Sequence, residues 1–74
     1  MERLSTLKEK TKGKVVEIIG DIHFQSRIIS IGITVGSDVE VIQNYKKQPI
    51  LIYCRDTMIA VNKIEAEKIM MEVL

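Results

Sequence analysis

The sequence has few of the residues that direct a chain to a secreted or membrane class. Its 74 residues include one cysteine, one proline and no tryptophan. A single cysteine cannot form an internal disulfide, which argues against a secreted mini-protein and fits a reducing cytosol. No apolar run reaches the roughly 18 residues that a membrane-spanning helix needs, and the first residues do not resemble a signal peptide. We therefore expect a cytoplasmic protein without direct membrane insertion.

A surplus of one charge is also absent. Lysine and arginine together number 11 and aspartate and glutamate 10, which gives a net charge of +1. Proteins whose main task is to neutralise phosphates usually show a basic surplus or a segregated basic stripe. The charge balance therefore predicts no nucleic acid partner, although a basic patch can still form locally.

What the sequence does contain is apolar residues in a regular order. The chain is 46% hydrophobic, which is too apolar for a disordered segment. A chain of this length forms one domain and hides only about 60% of the surface that its unfolded state exposes, so its core is small. We expect a single domain over residues 1–74 and, because the sequence begins with methionine, a complete gene product.

The segment 24–37 organises the rest of the predicted fold. Apolar side chains recur at Phe24, Ile28 and Ile31, which is the i, i+4, i+7 spacing of one helix face. Gly32 suits the left-handed residue that closes a helix, and Ile33 can fold back on the last turn. The sequence therefore predicts one short helix after the first strand.

Alternating and β-branched runs predict five short strands around this helix. A tight turn is expected at Asp56 and Thr57, because aspartate tolerates a positive φ. Asn62 followed by Glu65 has the spacing of a capping box and predicts a short helical turn before the last strand. The fold is therefore mainly β, a small curved barrel with one inserted helix. The predicted strands are 14–19, 37–43, 50–55, 58–61 and 70–74.

Alternation within the strands also predicts which side chains form the core. Val16 and Ile18 share one face of the first strand, and Val39 and Val41 face inward on the second. The third strand divides into two sets, of which only one can face the core. We assign to the core Ile50, Ile52 and Cys54, with Leu4 and Leu7 at one open end.

The remaining outward side chains are unusually apolar. Leu51 and Tyr53 then face outward on the third strand, and Ile29 and Ile42 also point away from the assigned core. A contiguous patch of this kind marks a protein interface, whereas scattered surface aliphatics are ordinary. We predict a partner interface that contains Ile29, Ile42, Leu51 and Tyr53, with Arg27 at its charged rim.

No catalytic or ligand-binding constellation can be assembled from the sequence. His23 and Cys54 stand in different elements without ligand spacing, and Asp21 and Glu17 add no converging set for a metal. Cys54 falls on the inward face, where a cysteine behaves as a small hydrophobic residue. A nucleophile with a base, a pair of placed carboxylates and a phosphate-binding loop are all missing. We therefore expect no enzymatic activity, no catalytic residues, no metal site and no cofactor.

Four segments resemble, in their order and spacing, the FeoA family of small cytosolic proteins from bacterial ferrous iron uptake: 13–20, 26–36, 49–52 and 59–69. The resemblance implies an SH3-like barrel without catalytic activity. It also implies an accessory role for FeoB, a membrane permease for ferrous iron with a cytosolic G-protein domain. Self-association through the same face is expected to be weak. Val35 replaces a usual proline and Asp56 a frequent glycine, so two turns depart from the family pattern.

The first strand also resembles that of a second class of small barrel proteins. Residues 12–18, with Gly20, resemble the start of a KOW motif, which occurs in small SH3-like barrels that bind RNA. Those proteins carry a basic surplus that this chain lacks, and here a helix follows the first strand. The alternatives to an iron-transport accessory are thus a KOW-like RNA-binding barrel and a regulatory protein-protein adaptor domain.

Overall fold

Short β-branched runs form the framework of the protein. The computed structural model describes residues 1–74 and contains six strands, two α-helices and one 3-10 turn at Leu4–Thr6. The helices are α1, Ile22–Ser30, and α2, Lys63–Ala66. None of the helices is long and apolar enough to cross a membrane. The strands are β1 Glu2–Arg3, β2 Lys12–Ile18, β3 Asp38–Gln43, β4 Ile50–Cys54, β5 Thr57–Val61 and β6 Ile69–Val73.

All strands pair antiparallel in one sheet of order β1-β6-β2-β3-β4-β5. The five predicted strands are confirmed, and the two-residue β1 is an addition, because Glu2 and Arg3 pair with Met71 and Met70 at the free edge of β6. No backbone pairing joins β5 to β1, the two outer strands of this order. The 3-10 turn Leu4–Thr6 contacts α2 and β6.

Helix α1 forms where the sequence predicts it, between β2 and β3. Asp21 is its N-cap, and the carboxylate accepts a hydrogen bond of 2.9 Å from the Phe24 amide. Gly32 has a φ of +106° after the last turn. The Ile33 amide donates to the Ile28 carbonyl at 3.2 Å, and both side chains are fully buried. Ile31 was expected on the same apolar helix face as Phe24 and Ile28. It is instead 39% exposed, because Ile33 folds back into that position.

Strand β2 departs from simple alternation. Its register against β6 shifts between Val15 and Glu17, so that these two residues pair with Met71 and Met70. As a result Val15 and Ile18 are buried, while Val16 is only partly buried. The prediction that Val16 and Ile18 share one face was wrong, since one additional residue in the strand changes the face of those before it.

The core gathers sixteen buried side chains, with at least one from every helix and strand except β1. Leu4 and Leu7 are buried as expected, as are Val39 and Val41 of β3. Ala66 and Ile69 join the core from α2 and the start of β6. The β-sheet thus wraps one small core, with α1 and the N-terminal turn packed against it.

Half of the predicted capping box is present at α2. The Asn62 side chain accepts a hydrogen bond of 2.8 Å from the Glu65 amide. The Glu65 carboxylate does not return to the Asn62 amide but pairs with the guanidinium of Arg27 on α1. Glu65 is mostly buried and its Oε2 atom has no other partner, so this ion pair links the two helices.

Candidate docking surface

Strand β4 separates the core from an accessible apolar face. Ile50, Ile52 and Cys54 are buried, while Tyr53 is exposed and Leu51 is partly buried on the other side. This division confirms the predicted orientation of the strand. It follows from the period of two in an extended chain, which points successive side chains to opposite faces.

The neighbouring strands extend this face. Tyr53 pairs with Met58 of β5, and Leu51 pairs with Gln43 of β3. Ile42 is the additional residue where the β3 register shifts, next to Gln43. Ile42 is 37% exposed, Tyr53 41% and Met58 49%, so these side chains are accessible to a partner. We call this set, Ile42, Leu51, Tyr53 and Met58, the outer patch.

Charged groups border the outer patch on one side. An open groove of about 370 Å³ begins at Tyr53 and continues toward β2 and the C-terminus. Lys12 pairs with Glu40, and Glu40 pairs with Tyr53, so opposite charges alternate across the strands. The groove lining comprises Lys12, Gly13, Asp38, Val39, Glu40, Tyr53, Arg55 and Leu74. An apolar centre with a polar rim is the usual composition of a protein interface.

The turn after β4 fixes the orientation of Tyr53. Cys54 pairs with Thr57, so the two turn residues are Arg55 and Asp56, with φ values of 53° and 61°. The turn was expected one residue later, at Asp56 and Thr57. The Tyr53 hydroxyl donates to the Asp56 carboxylate at 3.2 Å. This hydrogen bond, together with the carboxylate charge, raises the pKa of Tyr53 above its ordinary value.

The structure does not bring Arg27 and Ile29 to the outer patch. Both lie on α1, which contributes Ile28 to the core. Just after this helix, the Gly32 carbonyl accepts a hydrogen bond of 3.8 Å from the thiol of Cys54, whose side chain faces inward from β4. Ile29 is exposed on α1, and Arg27 is engaged with Glu65. Two of the five predicted interface residues therefore belong to another surface. The charged rim of the outer patch comes instead from Lys12, Glu40 and Arg55.

Sequence reasoning missed Met58 as a member of the patch. A two-residue turn at Arg55 and Asp56 places Met58 directly opposite Tyr53. The signal lay in the length of the hairpin loop, since turn position determines which side chains pair across the two strands.

The side chains considered as metal ligands occupy different environments in the structure. Cys54 is a free, buried cysteine, and burial raises the pKa of its thiol. His23 is exposed on α1, and Asp21 serves as the helix cap. No three His, Cys, Asp or Glu side chains converge as a metal site would require.

The class of protein follows from the fold. The FeoA of Stenotrophomonas maltophilia complexed with zinc is described as a prokaryotic SH3 domain protein and as a candidate activating factor of ferrous iron transport. Its structure matches 97% of this chain and 91% of its own chain with a TM-score of 0.76 and 24% identity. At that identity the match shows the fold alone. This protein is therefore a small SH3-like domain.

The family is shown by the sequence. The family model described as FeoA domain matches residues 2–73, and the chain belongs to the FeoA family. This family consists of small accessory domains associated with ferrous iron transport and is not a known enzyme family. The family predicted from the four sequence segments is thus confirmed. A sequence comparison with curated proteins gives no match.

Two solved structures of the family are closely similar over the whole domain. An iron uptake regulatory protein, FeoA, matches with a TM-score of 0.95 and 29% identity over 99% of this chain and 97% of that chain. A FeoA-like protein from Clostridium acetobutylicum matches with a TM-score of 0.84 and 26% identity over 100% of this chain and 91% of that chain.

Proposed function

We propose that this protein is a non-enzymatic accessory protein of ferrous iron uptake that docks on the cytosolic part of a FeoB-type permease. Membership in a family associated with iron transport supports the role. The observation that carries the docking step is the outer patch, an accessible apolar surface on rigid strands with a charged rim. The proposed site of action is the cytoplasmic side of the membrane.

The outer patch suits docking better than chemistry. Its side chains are hydrophobic apart from the Tyr53 hydroxyl, which is already engaged with Asp56. Burial of such a surface against a partner is driven by the removal of apolar area from water. Docking alters transport or GTP turnover only if the protein binds one conformation of the permease more tightly than another.

The test is a binding measurement between the purified protein and the detergent-solubilised permease. We expect Leu51→Asp and Tyr53→Asp each to abolish binding, because either change places a charge in the apolar centre. Val35→Asp is the matched control, since Val35 is 63% exposed in the loop after α1 and should bind as wild type. Circular dichroism establishes that all variants are folded. Wild-type affinity in both patch variants would refute docking through this face.

Salt dependence provides an independent measurement. Association through the outer patch should change little when salt is added, whereas phosphate-driven association weakens steeply. Sedimentation of the protein alone tests whether a second copy occupies the same patch. A stable dimer that Leu51→Asp dissociates would assign the outer patch to self-association instead of the permease.

A further inference from the structure

A single asparagine gathers three segments at the end of the molecule opposite the Arg55–Asp56 turn. The Asn44 side-chain amide donates to the Leu7 carbonyl at 2.6 Å and to the Ser5 carbonyl at 3.2 Å. Its oxygen accepts a hydrogen bond from the Lys63 ammonium. The loop 44–49 is thereby held beside the first residues of α2. A shallow groove between them is lined by Lys47, Gln48, Pro49, Asn62, Lys63 and Ile64.

Positive charge is concentrated at this end. Residues 44–49 and 62–64 include three lysines, Lys46, Lys47 and Lys63, and no acidic residue. The ion pair of the structure joins Arg27 and Glu65, so none of these lysines is neutralised by a salt bridge. A chain with a net charge of +1 thus carries a local basic surface. We call these two segments the lysine end.

Two large apolar side chains stand among the lysines. Ile64 is 72% exposed on α2, and Tyr45 is 52% exposed in the loop. Neither belongs to the core, and both are accessible at the end of the molecule formed by a loop and a four-residue helix. Lysines interleaved with an aliphatic side chain and a tyrosine match the boundary between lipid headgroups and acyl chains.

We propose that the lysine end is a peripheral contact for an anionic membrane surface. Each lysine near such a surface gains attraction to acidic headgroups, while Ile64 enters the apolar boundary and Tyr45 lies at the headgroup level. Nucleic acid is a poorer match, because Tyr45 can stack on a base but the more exposed Ile64 offers neither stacking nor hydrogen bonds to one. None of these side chains belongs to the outer patch, and the contact requires no permease.

The experiment measures binding to vesicles that contain no protein. The wild type should bind phosphatidylcholine vesicles with about one third phosphatidylglycerol and should not bind pure phosphatidylcholine. Replacement of Lys46, Lys47 and Lys63 by glutamine should lower the partition coefficient about fivefold per lysine, or about a hundredfold together. The matched control replaces Lys12, Lys14 and Lys68, which changes the net charge equally and should lower binding far less.

A second pair of variants tests the apolar half of the contact. Ile64→Ser should weaken vesicle binding several-fold, because it removes the side chain that enters the boundary. Ile22→Ser is its control, since Ile22 is 75% exposed on α1 and should bind as wild type. The proposal is overturned if wild type ignores anionic vesicles or if both lysine triples behave alike. It is also overturned if Ile64→Ser has no effect while the same lysines are required to bind an RNA oligonucleotide or an acidic peptide. Failure of permease docking would leave these vesicle results unchanged.

Discussion

Adjacent residues of β4 occupy opposite environments. Ile52 is fully buried among the core side chains. Its neighbour Tyr53 is exposed and donates a hydrogen bond to Asp56 in the Arg55–Asp56 turn. Substitutions at these two positions should therefore report on different properties. The first measures packing, and the second measures local electrostatics at the proposed docking surface.

Ile52→Ala should lower the free energy of unfolding by roughly 2–5 kcal/mol, because the truncation leaves a cavity in a small core. Urea denaturation followed by circular dichroism measures the change. Leu51→Ala is the neighbouring control and should cost less, since Leu51 is only partly buried. An unchanged stability for Ile52→Ala would mean that β4 faces the other way.

Asp56→Gly should lower the pKa of Tyr53 toward its ordinary value. The hydrogen bond to the Asp56 carboxylate holds the phenol proton, and the negative charge disfavours the phenolate, so loss of both makes ionisation easier. Ultraviolet absorbance of tyrosinate during alkaline titration measures this shift. A Tyr45→Phe background isolates the signal of Tyr53. An identical titration with and without Asp56 would show that the hydrogen bond is not formed.

At the scale of elements, periodicity predicted the type and order of the strands and helices but not their irregularities. Alternation in β3 and β4 identified the buried side chains, because those strands keep a period of two over the predicted core positions. The bulge near Val16 has no local signature, since it depends on pairing with β6. Gly32 did predict the fold-back of Ile33, but the resulting exposure of Ile31 was not predicted. The position of Arg27 outside the outer patch likewise depends on which side of the sheet α1 covers.

A substitution in the hairpin turn between β4 and β5 should raise the stability of the protein. Asp56 has a φ of 61°, a conformation that glycine adopts without steric cost. We expect Asp56→Gly to raise the free energy of unfolding by about 1 kcal/mol, despite the loss of an exposed hydrogen bond to Tyr53. The shift of the urea midpoint measures it. Gly36→Ala is the opposite change and should lower the free energy of unfolding. Gly36 has a φ of +93°, which is unfavourable for alanine although no atom lies within 4 Å of the added Cβ.

At the scale of the whole molecule, side chains far apart in sequence complete the structure. Asn44 bonds to carbonyls 39 and 37 residues away, at Ser5 and Leu7. Leu4 and Leu7 reach the core through this N-terminal segment. The predicted position of these leucines at one end of the core is confirmed, whereas no sequence pattern indicated that Asn44 holds this segment.

Asn44→Ala should therefore destabilise the protein by about 1–3 kcal/mol, because it leaves two carbonyls of the N-terminal segment without their donor. Hydrogen exchange should show the loss of protection first in residues 4–7. Gln48→Ala in the same loop is the control, since its exposed side chain makes no hydrogen bond that holds this segment. Equal stability of the two variants would show that the leucines alone anchor the N-terminus.

The position of β6 has a consequence for biosynthesis. This strand lies between β1 and β2 in the sheet and brings Ile69 and Met71 to the core, yet it is translated after both neighbours. Until residues 69–73 leave the ribosomal exit tunnel, β1 has no partner and β2 keeps an open edge. The sheet is therefore completed only when the last strand of the chain becomes available. We expect a nascent chain stalled before residue 69 to expose the core side chains that Ile69 and Met71 cover, and so to be a substrate for chaperones and proteases.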